Sequence, residues 1–512
     1  HNKMTRPCKN DMMAASKKLE QHAMKKNLLL YLLLATSPAI AGGANLMTVY
    51  QQALTSDPTY QQAIAQQMAD SEGVPISLSQ LLPNMGATID PYLTRQVSSG
   101  PASLNGTDRE RGYNVNLTLT QTIFNFAQFA NLAGARSTAK QAVATLNAAS
   151  QDLMLRVANA YFKVLEDVDN LRSSESTRTA FAKQLDQVTQ QYKVGLKTIT
   201  DVYTAQASYE GSDADYITAQ NQLANDKENL RAITGVLYPT LAKLSEQFPL
   251  ISPQPTNIND WVDTAQRNNW AIKADQYAAN AAKANIKQQF AGHLPTLNVQ
   301  GSYAINFTRD LGGSAFSGNP SSPLSFDPPG SAQVHDSTVA LNLSVPLVAG
   351  GQVVAQTHQA QYQYQAATQR LEQQIRSTEN VTRQSYLGII AGISKIAADK
   401  KAIQSAKSSV EGMEAGYRVG TETLVNVLNQ QQTVFQNEVK YARDRYAYVT
   451  DLLTLKQAAG TLSPEDLAAI NAWLETDTAT PALNSPVYAN TEHTTKNTKS
   501  APMNHKTSKN TS

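Results

Sequence analysis

The chain has 512 residues, with 43 lysines and arginines against 41 aspartates and glutamates, a formal charge of +2 and one cysteine. So even a balance excludes an overall field that gathers nucleic acid, and a lone cysteine excludes an internal disulfide framework. A negative mean hydropathy with abundant Ala, Gln, Asn, Ser and Thr predicts long polar helices with thin apolar seams rather than a thick core.

Met24-Lys25-Lys26-Asn27 opens a positively charged stretch, Leu28 to Leu34 is an apolar run, and Ala39-Ile40-Ala41 supplies small residues for cleavage. That order is the one a secretory signal peptide requires. Residues 1–23 then read as an upstream extension with no role in the mature chain, and Cys8 is lost with them. A mature chain without cysteine suits an exported protein that uses neither disulfide nor thiol. After Ala41 no stretch approaches the ~18–20 apolar residues of a membrane-spanning helix, so entry into a bilayer would have to be as strands.

Residues 45–56 read as a short helix, Asp57-Pro58 restarts it, and Leu82-Pro83 stops a second helix that runs to about Gln80. The period then changes to two. Met85, Ala87, Ile89 and Leu93 alternate with Gly86, Thr88, Asp90 and Thr94, and Tyr113 to Thr120 alternates without error. These predict strands at about 84–95 and 112–123, separated by the turn-rich stretch from Ser98 to Gly106. Leu297, Val299, Gly301, Tyr303, Ile305 and Phe307 alternate in the same way, as do Val339, Leu341, Leu343 and Val345, predicting strands at about 296–308 and 335–347 around a long Gly/Pro/Ser loop from Asp310 to Ser331.

Four strands are too few for a soluble sandwich of about seven. Their second face carries Asn, Thr, Ser and Gln with few charges, the pattern of a lipid-exposed barrel with a wet interior. Four strands cannot close, and open edges are not tolerated in hydrocarbon, so several chains must share the barrel. Two chains would give about eight strands, which side chains roughly fill, whereas three would give twelve and leave a lumen.

No proline interrupts Ala127–Tyr192 or Gly351–Tyr417, which predicts helices at about 127–192 and 351–417, each roughly 100 Å long. Val157, Val164 and Leu171 are spaced by seven, as are Ile389, Ile396, Ile403 and Val410, the seam of a left-handed coiled coil. Each rod ends in a related motif: Tyr192-Lys193-Val194-Gly195 before Thr200-Asp201-Val202, and Tyr417-Arg418-Val419-Gly420 before Val425-Asn426-Val427. The copies lie 225 residues apart, and the same offset carries Gln206 onto Gln431, Leu230 onto Leu455 and Gly235 onto Gly460. The chain is therefore an internal duplication whose period is too long for a solenoid. Gly195 and Gly420 permit the reversal into return helices at about 201–234 and 425–459.

The organisation that follows is an extension and signal peptide (1–41), a first repeat (42–235), a proline-containing equatorial connector (236–260), a second repeat (261–460), a short equatorial helix (461–474) and a disordered polar tail (475–512). The fold class is α+β, two internal repeats per chain.

Leu46 to Ala53, Gly292 to Leu297, Gln121 to Phe124 and Met413 to Thr421 give the chain a resemblance to the TolC family of outer-membrane export channels, over roughly residues 44–474. The resemblance implies a homotrimer in the outer membrane of a Gram-negative bacterium, with a twelve-stranded barrel, a long α-helical coiled-coil barrel through the periplasm and a collar of short helices. It implies a passive exit duct for drugs or secreted proteins, served by a periplasmic adaptor and an inner-membrane RND, ABC or MFS pump, with no cofactor. It also places a periplasmic gate at the hairpin tips, where Tyr417 would link to Asp201, and Thr200 to residue 422. That position is Glu422 here, where the family's best-known member has arginine. At the narrowest point the family pattern has two aspartates one turn apart, and this chain has Asn426 and Asn429. The hairpin turns Val194, Gly195, Val419 and Gly420 fall in the adaptor-contact region.

No residues suggest catalysis. His293, His335 and His358 lie outside any metal-ligand spacing, and neither Gly312-Gly313 nor Gly350-Gly351 precedes the Lys-Ser/Thr of a phosphate-binding loop. The competing readings are an adhesive trimer in which the coiled coil is a spacer, and an outer-membrane enzyme, which would need a nucleophile and base that the strands lack.

Overall fold

In the computed structural model of the protein, residues 43–98, 105–311, 314–316, 325–326 and 330–475 are described. The expected signal peptide and nearly all of the expected tail lie outside them. Three short helices come first: α1 (Leu46–Ser56), α2 (Pro58–Ser71) and α3 (Gly73–Ser79). Asp57 caps α2, with its Oδ2 accepting from Tyr60 N at 2.8 Å, and Pro58 needs no hydrogen-bond donor at the first position. The single helix expected up to Gln80 is two, broken at Glu72.

Strands β1 (Asn84–Ser98) and β2 (Asn105–Phe124) follow. Asn125 then caps α4 (Phe126–Lys193), its side chain accepting from Ala127 N and Gln128 N. The chain returns as α5 (Ile199–Thr234), passes through β3 (Lys243–Leu244), and resumes as α6 (Ile258–Asn268) and α7 (Trp270–Phe290). The connector thus ends at Asn257, whose side chain caps α6. A turn of 3₁₀ helix (Ala291–His293) leads into β4 (Thr296–Asp310), β5 (Ser314–Phe316), β6 (Ser325–Phe326) and β7 (Ser331–Ser344). The second hairpin is α8 (Gln352–Val419) with α9 (Leu424–Ala458), followed by α10 (Pro464–Asn471) and β8 (Leu474–Glu475).

The described residues fall into two units. In the smaller, Ala44 bridges to Leu241, and Lys243–Leu244 pairs with Leu474–Glu475 around buried Leu241, Ala242 and Leu244. Glu475 is therefore the end of a strand and not the first residue of the tail. Everything else belongs to the larger unit.

The main sheet of the larger unit runs β1-β2-β4-β7 in antiparallel register, from Met85↔Leu119 and Leu93↔Arg111 through Leu117↔Tyr303 to Val299↔Leu341. The short β5 pairs with the first residues of β2, Asn105 to Thr107, and β6 pairs with β5, inside the segment expected to be an irregular loop. β2 begins well before the expected position 112, because its first rows are held by backbone pairing to β1 through charged residues that hide the apolar alternation. β7 stops at Ser344, opposite the first residue of β4. Val345 to Val348 have no strand left to pair with.

Directly opposed residues share a face, as do residues two apart. The odd-numbered face is apolar and bare: Leu93 is 76% and Val339 83% exposed. So much uncovered hydrocarbon is unexpected against water and expected against lipid. Along both β1 and β7 the sheet edge is unpaired among the described residues.

The long helices pack in antiparallel pairs, α4 with α5 and α8 with α9, while α7 lies along the strand-proximal halves of α4 and α8. Gly134 of α4 lies against Ala284 of α7, where an added Cβ would stand at 3.6 Å, an ordinary contact distance. Val157, Val164, Leu171, Ile389 and Ile396 are all buried, and Ile403 and Val410 are half-buried. The seam thickens around Tyr161 and Phe162 on α4, where Phe162 stacks on Tyr446 of α9 with centroids 5.8 Å apart. Arg156 of α4 holds the cap of α2 through Asp57, Nη2 to Oδ2 at 2.8 Å.

Candidate gate at the hairpin tips

Both rods end where a glycine takes a positive φ, 79° at Gly195 and 86° at Gly420, a conformation that costs a residue with a Cβ about 1 kcal/mol or more. Leu196 N donates back to Gln191 O, and Thr421 N to Gly416 O, each at 2.9 Å. Beside these turns Val194 and Val419 are 70% and 76% exposed.

The return helices start on equivalent threonines. Thr198 caps α5 in a reciprocal box: Asp201 N donates to Thr198 Oγ1 at 3.2 Å, and Thr198 N donates to Asp201 Oδ2 at 3.0 Å. Thr198 Oγ1 also donates to Asp201 Oδ2 at 2.9 Å. The bonds from the backbone and then the side chain of Thr198 hold the Asp201 carboxyl below its ordinary range. The offset of 225 carries Thr198 onto Thr423 and Asp201 onto Asn426. Thr423 does cap α9, accepting from Asn426 N at 3.3 Å, but the Asn426 side chain turns away and donates from Nδ2 to Glu422 Oε2 at 2.9 Å. Glu422 is the offset counterpart of Lys197, and its stem lies over Gly416, where an added Cβ would meet Glu422 Cγ at 2.8 Å.

A small core joins the hairpins. Phe181 and Val188 of α4, Ala205 of α5 and Leu424 and Leu428 of α9 are buried together, with Val202, Tyr209 and Tyr417 packed against them. Tyr417 reaches the other hairpin through Lys197, whose Nζ lies 4.3 Å from the ring centroid. Its hydroxyl is buried without a hydrogen-bond partner. Within one chain, then, Tyr417 is beside Lys197 while Asp201 is occupied by Thr198. Thr200 is exposed on the first turn of α5, and Asn426 and Asn429 are exposed on α9 opposite buried Val427 and Leu428. Lys197, Thr198, Thr423 and the apolar joint were not singled out from the sequence. The Thr-x-x-Asp spacing could have revealed the cap; nothing local could have paired Lys197 with Tyr417.

Among the described residues no group of three or more His, Cys, Asp or Glu is arranged to hold a metal, and no helix is long and apolar enough to cross a membrane. The tips offer packing, charge and a hydrogen-bonding surface.

The family described as "Outer membrane efflux protein" matches residues 49–236 and 261–461. Outer membrane protein TolC of Salmonella enteritidis is 37% identical over 454 residues, 88% of this chain and 89% of its own length. Alkaline protease secretion protein AprF of Pseudomonas aeruginosa is 25% identical over 447 residues, 86% of this chain and 89% of its own. Among solved structures, the outer membrane protein VceC of Vibrio cholerae superimposes with a TM-score of 0.64 at 18% identity, covering 81% of this chain and 96% of that one.

Proposed function

This chain belongs to the outer membrane efflux protein family, and from that membership we infer that it is the outer-membrane exit duct of an export system. It carries drugs or secreted proteins across the outer membrane, and its helical part lies in the periplasm. Relatives are named for efflux and for protease secretion, which supports a general conduit whose selectivity lies elsewhere.

The observation that carries the reading is the sheet of the described residues: four long strands, an uncovered apolar face, and unpaired edges at β1 and β7. Identical neighbours would satisfy those edges, and three chains would make twelve strands with an open lumen. The assembly we propose is a homotrimer that works with a periplasmic adaptor and an inner-membrane RND, ABC or MFS pump. Val194, Gly195, Val419 and Gly420 would meet the adaptor, and Thr200, Asp201, Tyr417, Glu422, Asn426 and Asn429 would form the gate. In support, the apolar joint through Leu424 and Leu428 couples the two tips, so that one cannot swing without repacking the other.

Purified protein in planar bilayers is expected to give small, gated currents. A mechanical spacer would be silent at every voltage, and persistent silence of protein shown to be inserted would reject the duct.

A further inference from the structure

Charge in the sheet is sorted by face. Arg95 pairs directly with Arg109, and Arg111 with Arg309. Arg109 and Arg111 are two residues apart on β2, so all four arginines share the odd-numbered, apolar face. Asp90, Glu110, Asp310 and Asp336 sit at even-numbered positions, opposite Asn114, Asp310, Glu110 and Ala304, and so on the polar face.

The arginines cluster at the end of the strands farthest from the helices. On β4 the odd face reads Leu297, Val299, Gly301, Tyr303, Ile305, Phe307 and then Arg309. Leu297 to Phe307 spans ~34 Å along the strand and, at a tilt of 35–45°, ~26 Å of height, the depth of an outer-membrane apolar band of ~25 Å. Its outer border is marked independently by Tyr113 and Phe307, stacked with centroids 5.1 Å apart, one row inside Arg111 and Arg309. Aromatic residues of this kind lie at the membrane–water boundary. The guanidinium groups therefore stand at headgroup level, facing outward.

Like charges directly opposite one another across a strand pair destabilise it. Here two such pairs are adjacent, all four side chains are exposed, and none of the four takes part in the ion pairs found among the described residues. An external anion is what would relieve them. Guanidinium is the cation suited to two-pronged binding of phosphate, and weak hydration fits it to an interface.

We infer that Arg95, Arg109, Arg111 and Arg309 form a binding site for the phosphate groups of an anionic glycolipid in the outer leaflet, so that each chain carries a lipid clamp on the outside of its barrel. The inference rests on the outer-membrane reading given above and adds a ligand to it. The clamp seats the barrel at a fixed height and covers the outer ends of β1, β2 and β4 with bound lipid.

The test uses the full assembled protein in neutral detergent, titrated with bis-phosphorylated lipid A, the same lipid stripped of its phosphates, and phosphatidylcholine, with retained lipid counted by native mass spectrometry. The wild type is expected to prefer the phosphorylated lipid at least tenfold. Arg95→Gln/Arg109→Gln/Arg111→Gln/Arg309→Gln should abolish that preference, and the milder Arg95→Gln/Arg109→Gln should reduce it if the fourfold variant fails to assemble. Glu110→Gln, on the polar face, should leave it intact. Equal binding of the phosphorylated lipid by wild type and the double variant would overturn the site, and so would displacement by equimolar inorganic phosphate, which would mark a free-anion site. Bilayer conductance of the same preparations separates the readings: conducting variants with unaltered lipid preference reject the clamp alone, and silent wild type rejects the duct.

Discussion

Replacing Asn426 and Asn429 together by aspartate is expected to raise the cation-over-anion permeability of the channel on the order of tenfold, and to make it susceptible to block by multivalent cations. The two residues are i and i+3 on α9 and both exposed, so they project from one side of the helix. In a threefold assembly they give six amides, and the exchange would give six carboxylates in a low-dielectric constriction, where potentials reach several kT. Glu422 already places one carboxylate per chain at this level, tied to Asn426 Nδ2. A second carboxylate at 426 would face it directly, so Asn429→Asp alone should carry most of the effect. Reversal potentials in asymmetric salt measure it. An unchanged reversal potential, with no new block by multivalent cations, would place Asn426 and Asn429 away from the constriction.

The second large effect concerns pH. Asp167 of α4 and Asp226 of α5 are buried, 3% and 7% exposed, and close enough to act on each other's ionisation. Burial first, and then Asp226, push the Asp167 carboxyl up to about 7, despite Lys163 Nζ at 3.4 Å. Its Oδ2 is buried without a hydrogen-bond partner, which adds to the cost of ionising the group. Burial would raise Asp226 too, but Asp167 and the bonds from Gln222 and Asn229 outweigh it and hold that carboxyl below its ordinary range. The folded protein therefore binds a proton at Asp167 between 3.8 and about 7 that the unfolded chain has lost. Stability from this group falls as pH rises through that window, is level above it, and is unaffected below it. The Asp226 contribution runs the other way, lost only as pH falls below 3.8. At ~1.4 kcal/mol per pKa unit, the cost of Asp167 above pH 7 is on the order of 4 kcal/mol. Asp167→Asn, which keeps a donor toward Asp226 without a titrating proton, should melt several degrees higher than wild type above neutrality and at the same temperature near pH 4. Parallel melting curves across this range would remove the proton held at Asp167.

The strands were legible where hydropathy alternates, as from Leu297 to Phe307, and became illegible at Asp108-Arg109-Glu110-Arg111, where every residue is charged and the period survives only in the sign. The rods were legible from the absence of proline and the spacing of Val157, Val164 and Leu171. Single residues at the tips were legible through the duplication, but their partners were not. Lys197 and Tyr417 meet only because two hairpins share the core around Leu424. Asp167 and Asp226 read along the sequence as ordinary polar positions on a helix, and only the antiparallel return of α5 makes them a pair. In each case the contact is between segments remote in sequence, and no local pattern encodes it.

All of this depends on one chain contributing a fraction of a closed wall. The mass of the particle extracted in mild detergent, taken together with protection of the β1 and β7 edge amides from hydrogen exchange, tests that dependence most directly. Three copies with both edges protected is the expected result. A folded particle of one copy, with its edge amides protected by its own chain, would contradict it.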